Sequence, residues 1–342
     1  MRRLLAATGN SVALLTGDGE LHSQIKLAGT GVQCLAADPG KPGVAYAGSY
    51  GRGIYKTVDG GESWSALQSP HEDIFSLAVS AADGSVYAGC EPSMLYRSRD
   101  GGASWEELNQ LRSIPSAPTW SFPPRPWTSH VRWVAPSPHD PDLLLVGIEL
   151  GGLMRSSDGG RSWEDHRPGA QRDVHCLLWH PTAPGRAYEA GGGGAAWSND
   201  GGRSWEAADH GRDLHYTWAL ACDGVDPDVW YVSASPGPYY AHGGGDARAH
   251  IYRWCDSGPW LKLDGGLPQP LGAMPYAFAY AEDRLYAGLS DGAVHVTSDK
   301  GDTWSEVMMS GDQPPAIRAL VALELPTLTS DQVREALEAI RR

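Results

Sequence analysis

One eight-residue phrase occurs five times in this chain, and its repetition decides what the chain can fold into. It reads Thr57-x-Asp59-x-Gly61-x-Ser63-Trp64 and returns at Ser98–Trp105, Ser156–Trp163, Ser198–Trp205 and Thr297–Trp304. A shortened copy, Asp256-Ser-Gly-Pro-Trp260, stands between the fourth and the last. The aspartates Asp59, Asp100, Asp158, Asp200, Asp256 and Asp299 are 41, 58, 42, 56 and 43 residues apart. A period of this length marks a supersecondary unit that buries its apolar faces only by stacking on copies of itself. Within the phrase, an Asp carboxylate accepts hydrogen bonds from backbone N–H groups further along and closes a turn. The Gly takes a backbone conformation that side chains disfavour. The Trp opens the next strand as a large apolar anchor.

Each unit reads as four strands. An apolar strand such as Val32–Ala36 or Val174–Leu178 comes first, then a Pro/Gly/Asp turn, then a strand like Val44–Gly48. A third strand runs into the phrase, and its Trp begins the fourth. Six units lie between residues 32 and 308, and the two long intervals carry insertions near 109–130 and 235–250. The chain ends supply a seventh. Residues 3–8, 11–16 and 20–27 read as second, third and fourth strands, with Thr16-Gly-Asp18 as a vestigial phrase. Ile317–Leu323 reads as the missing first strand. A blade stitched from both ends closes the ring and removes open sheet edges. After Pro326, Thr329-x-x-Gln332 has the form of a capping box, followed by Val333, Leu337 and Ile340 at helical spacing. The expectation is an all-β, seven-bladed β-propeller over residues 1–326 and a short C-terminal helix over 327–342. That helix offers a surface for a weak dimer; otherwise the chain is a monomer.

The phrase Ser/Thr-x-Asp-x-Gly-x-Ser/Thr-Trp resembles the Asp box of the bacterial neuraminidase (BNR) repeat, and the resemblance spans nearly the whole chain. That family consists of β-propellers and includes sialidases, xyloglucanase-type glycosidases, sortilin-type receptors and photosystem assembly factors. The resemblance implies the fold and leaves the activity open, because the boxes sit on hairpins away from the usual functional face. The Phe-Arg-Ile-Pro-type arginine motif of sialidases is absent, seven blades differ from the six typical there, and no stretch matches the xyloglucanase catalytic aspartates.

Composition narrows the function classes. A net charge of −14 argues against a nucleic-acid surface, which needs a basic face. No apolar run approaches a membrane span. Met1-Arg-Arg-Leu-Leu-Ala-Ala is broken by Thr-Gly-Asn and is needed as a strand, so it reads as mature protein, and a cytoplasmic location is expected. Cys34, Cys90, Cys176, Cys222 and Cys255 lack metal-ligand spacing and read as buried free thiols.

In a four-stranded meander, the loops joining strands 2–3 and 4–1 share one face, and the phrases occupy the other. His71, His130, His166, His175, His210, His215, His242 and His250 fall on or beside the first face, as do both insertions. One insertion carries Trp120, Phe122, Arg125 and Trp127; the other carries Tyr239, Tyr240, His242, Asp246, Arg248 and His250. Loops rich in His, Arg, Tyr and Trp on a rigid scaffold point to a ligand site. Aligned first strands place Gln33, Phe75, Arg132, His175, Thr217, Tyr276 and Arg318 at one position near the mouth of the axial channel. Glu189 stands where neighbouring blades have Ala47, Ala88, Val146, Val232 and Ala287, so it needs a partner, with Arg132, Arg172 and His175 as candidates. Glu149 ends a strand before Gly151-Gly152. Arg172-Asp173-x-His175 and Arg212-Asp213-x-His215 repeat in adjacent blades.

Three function classes stay open. In a glycosidase-like enzyme, Glu149, Glu189, Asp173 and Asp213 are the candidate carboxylates. In a non-glycosidic or metal-dependent enzyme, His175, His215 and Glu189 form a 2-His-1-carboxylate set, although no cofactor is required. The third class is a protein-binding or assembly module. The favoured expectation is a small polar, sugar-like or anionic ligand in a cup. Glu189 and His175, with Glu149 and Asp173, are the catalytic candidates. Arg132, Arg172, Arg318, His130, His215, Tyr216, Tyr276, His242 and His250 hold the ligand, and Trp120, Trp127, Tyr239 and Tyr240 form the lid or stacking platform.

Overall fold

The computed structural model describes residues 2–122, 128–255 and 258–323. Seven sheets, antiparallel but for one outer strand, form a closed ring. The innermost strands of blades 1 to 7 are Val32–Ala37, Ile74–Val79, Val131–Pro136, Val174–Trp179, Tyr216–Cys222, Pro275–Ala281 and Ala319–Leu323, and each touches the next around the axis. Blade 7 joins the last of these to Arg2–Ala7, Val12–Gly17 and Leu21–Lys26, pairing Arg3 with Leu323 and Ala7 with Ala319. It also gains an outer strand, Met309–Gly311, running parallel to Leu21–Ser23. The expected helix over 327–342 lies outside the described residues, as do Arg125, Trp127 and the first two residues of the shortened phrase, Asp256 and Ser257. Among the described residues no helix is long and apolar enough to cross a membrane. All five cysteines are free; four are buried and Cys255 is half-buried.

The repeated phrase closes its turn in the same way each time. In blade 4 the Ser198 hydroxyl donates to Asp200 Oδ1 (2.8 Å), and Gly202 N–H donates to Ser198 Oγ (3.0 Å). Asp200 in turn accepts from the N–H groups of Arg203 (2.9 Å) and Ser204 (3.0 Å) and from the Ser204 hydroxyl (2.7 Å). The phrase glycines need their freedom: Gly202 has φ +76°, and a Cβ there would sit 2.7 Å from Leu145 Cδ2. The fourth strands are shorter than their Trp anchors suggest. Four run for two residues only, Ser65–Ala66, Glu106–Glu107, Glu206–Ala207 and Ser305–Glu306, and in blade 3 a single Arg155–Glu164 bridge remains.

Partial burial alone would raise the carboxyls of Asp59, Asp158 and Asp200, but the surrounding hydroxyl and N–H donors outweigh it and hold them below the usual range, Asp59 and Asp200 at about 2. The hydroxyls of Ser104 and Thr303 lead the same effect at Asp100 and Asp299. A carboxyl depressed by folding contributes stability that is complete above its unfolded value near 4 and is lost as pH falls toward 2. Denaturant titrations should therefore show acid destabilisation across that window, and Asp200→Ala should cost about 1–2 kcal/mol at pH 7. A variant as stable as the parent would contradict the turn assignment.

Glycine also sets the blade-to-blade contact. In the second strands, a Cβ at Gly48, Gly89, Gly147 or Gly288 would lie 2.4–2.7 Å from the β-branched Ile74, Val131, Val174 or Ile317 of the following blade. The bare backbone lets adjacent sheets nest closely around the ring.

Candidate functional site

The first strands of blades 1–6 each carry a bulge near the upper mouth of the channel. In five blades the residue left out of the ladder is Gln33, Phe75, Arg132, His175 or Tyr276, the position singled out by alignment. A bulge re-aims its side chain, and here it aims into the axis. Blade 5 corrects the alignment by one residue. Thr217 pairs with Ala234 and is fully buried, its hydroxyl donating toward the Gly191 and Gly194 carbonyls. Trp218 takes the channel position instead. Two spaces result: an apolar throat of about 200 Å³, and above it a cup of about 650 Å³. The opposite mouth belongs to the 1–2 turns and to phrase residues such as Ser298 and Lys300.

A titratable cluster forms one wall of the cup. His130 lies between two acids that end the second strands of adjacent blades. Its Nε2 is 2.6 Å from Glu149 Oε2, and its Nδ1 is 3.4 Å from Glu91 Oε2. Phe75 stacks on the His130 ring at 3.9 Å and Phe122 meets it edge-on at 4.8 Å. Arg132 Nε is 3.6 Å from Glu149. Burial would raise the Glu149 carboxyl, but the His130 hydrogen bond and the Arg132 charge outweigh it and keep Glu149 ionised. Beside it, His175 Nδ1 is 2.6 Å from the Thr217 carbonyl, and His175 Nε2 is 3.5 Å from Asp173 Oδ2.

The other wall is aromatic. Arg132 lies over Trp218 at 4.7 Å, a cation–π arrangement. Tyr276 donates to the Ala241 carbonyl (2.6 Å) and so accepts from His242 Nδ1 (2.9 Å), which leaves His242 Nε2 to accept from the Tyr216 hydroxyl (2.8 Å). This directional chain requires neutral imidazole. Desolvation first, with the Arg132 charge adding to it, pushes His242 down to about 4. The short helix Pro238–His242 holds it there. Exposed Arg318 completes the rim, its guanidinium crossing Gly9, where a Cβ would lie 2.7 Å from Nε.

Several expected site residues lie elsewhere. Glu189 is completely buried and does not reach the cup; one oxygen accepts from Gln171 N–H (2.9 Å) and Oε1 has no partner. Neither Arg132, Arg172 nor His175 pairs with it. The β-ladder alternation turns its side chain between blades, where small apolar residues stand in the other blades. Arg172 is exposed outside the cup. Trp120 is a core residue of the first insertion, its indole N–H donating to Ser116 Oγ (3.1 Å). Tyr239 is 82% exposed, Tyr240 lines a neighbouring groove, and His250 pairs with Gln269 (2.7 Å). Exposed His215 stands 3.8 Å from Asp209 and does not cluster with His175 and Glu189 as expected of it. Asp213 is bound to Tyr252 and Lys262. The two Arg-Asp-x-His motifs diverge because the second begins three residues further from its strand's bulge. Trp218 and Glu91 were not among the expected site residues. Glu91 and Glu149 occupy equivalent positions after their second strands, a match that repeat alignment contains.

No family model and no curated protein matches the sequence. Solved structures do match the fold. An ancestral GH74 enzyme aligns at TM-score 0.64 and 16% identity, covering 90% of this chain and 40% of its own. The GH74 xyloglucanase of Xanthomonas campestris aligns at 0.62 and 19%, covering 90% and 47%. YCF48 bound to D1 peptide aligns at 0.57 and 16%, covering 87% and 93%. The chain thus spans less than half of these GH74 enzymes but nearly all of that YCF48 chain. All of these are β-propellers, and at these identities the likeness shows the fold alone.

Proposed function

We propose that this chain is a BNR-type Asp-box propeller that binds a small polar, sugar-like or anionic ligand in the cup. The observation that carries this reading is the convergence of Arg132, Trp218, Tyr276 and Arg318 on one open cavity of about 650 Å³. Arginines supply forked donors for carboxylate, phosphate or hydroxyl oxygens. Ring faces supply stacking surface, and pockets of this size suit a small molecule. Binding fits the geometry better than glycoside hydrolysis does. Hydrolysis needs one carboxyl kept protonated beside an ionised one. In the cup Glu149 is held ionised, and the carboxyl raised by burial, Glu189 at about 8, is walled off.

The near-complete coverage of the peptide-bound YCF48 chain supports a second reading, a module that receives a protein segment at the same mouth. A thermal-shift screen of sugars and small carboxylates and phosphates, on wild type and on Arg132→Ala, separates the two. A ligand that binds only the folded state raises the melting temperature by mass action. The small-ligand reading expects at least one compound to shift the wild type and not the variant. No shift in the wild type at millimolar concentrations would favour the protein-segment reading.

A further inference from the structure

We infer that Glu149, Asp173 and His175 form a binding site for a divalent first-row cation at the floor of the cup. One donor atom from each lies within 4.8 Å of the other two, close enough for a single ion to draw them together. The histidine supplies an independent indication. The Thr217 carbonyl can only accept, so His175 Nδ1 carries the hydrogen, and in the neutral ring Nε2 presents a bare lone pair. That Nε2 is buried, lacks a hydrogen-bond partner and faces the carboxylates. An unsatisfied buried acceptor is costly, and a cation between it and two acids would satisfy it. A backbone carbonyl fixing the far nitrogen of an imidazole is the arrangement that orients metal-binding histidines. His130 fixes Glu149 in the same manner from behind, at 2.6 Å.

The positions are rigid. Glu149 directly follows the strand Leu144–Ile148, and Asp173 and His175 flank Val174 at the start of the next blade's first strand. Two carboxylates and one imidazole suit Mn²⁺, Fe²⁺ or Zn²⁺ better than Ca²⁺, which takes oxygen ligands. Three protein donors leave coordination positions open, and the cup lies above them. An ion there would bind ligand oxygens directly. That consequence rests on the ligand reading given above, whereas the cation itself does not.

The test is titration calorimetry of Mn²⁺ alone into chelator-treated protein, with no organic ligand present. Mn²⁺ avoids the five thiols that would complicate Zn²⁺. The expected result is one equivalent bound by wild type, and affinity weakened at least about tenfold in Asp173→Asn. Asp173 is partly exposed, so that variant should keep the parent's metal-free melting temperature. His175→Gln serves as a second variant, scored only if its circular dichroism matches the wild type. Absence of binding by wild type at 1 mM Mn²⁺, on the order of the weakest physiological metal sites, would overturn the site. Undiminished binding by folded Asp173→Asn would overturn it equally. Because the readout is the ion alone, failure of the ligand reading leaves this result intact, and the reverse also holds.

Discussion

Glu189→Gln should make the protein more stable at pH 8 by about 4 kcal/mol relative to its effect at pH 4.5, at roughly 1.4 kcal/mol per unit of pKa shift. Burial raises the Glu189 carboxyl from its ordinary 4.5 to about 8, and the Gln171 N–H offsets only part of that. Between those values the folded chain holds a proton that the unfolded chain has released. Stability is therefore complete below about 4.5 and is lost as pH rises toward 8. Glutamine keeps the acceptor for Gln171 and carries no charge, so the variant should lose this dependence while the parent keeps it. Urea titrations of both proteins from pH 5 to pH 8.5 measure the difference. Parallel pH profiles would mean that Glu189 is ionised in the fold with a partner or solvent that the geometry does not show.

Gly147→Val should cost about 3 kcal/mol, the upper end of ordinary overpacking. Its Cβ would lie 2.4 Å from Val174 Cγ1 and 2.9 Å from Val174 Cβ. Val174 is fully buried and β-branched, so it cannot swing aside. The contact joins blades 3 and 4 beside the residues that flank the cup. Gly19→Val, with open space around the glycine, is the control and should change stability little. Equal effects from the two substitutions would show that the sheets do not nest as described.

The architecture was legible because it rests on spacing. The five phrase aspartates count blades, and the phrase hydroxyls, aspartates and glycines make the bonds their chemistry requires. Closure by the chain ends was legible because three strand-like runs at one end lacked the first strand found at the other. The outer strand Met309–Gly311 was not, because parallel pairing of three residues leaves no pattern. At the site, one repeat position found the channel residues of blades 1–4 and 6, since each bulge recurs at the same point. It failed at blade 5, where Thr217 was aligned by its apolar neighbours. An offset of 43 residues, which relates Glu189 to Val232, also relates His175 to Trp218. Glu189 was legible as an anomaly but not as one turned between blades, because the face a strand residue presents depends on which sheet packs against it. Trp120 and Tyr239 show the limit of composition: both lie in an insertion, yet one folds into the core and the other points to solvent.

The most direct test of the central claim is calorimetric binding of the strongest compound from the thermal-shift screen to wild type, Arg132→Gln and Asp200→Ala. Arg132 faces the cup, and Asp200 closes a turn on the opposite face. Affinity should weaken at least about tenfold in Arg132→Gln, the loss of one charged contact, and stay unchanged in Asp200→Ala. Full affinity in Arg132→Gln, or affinity lost in a folded Asp200→Ala, would place the ligand away from the cup.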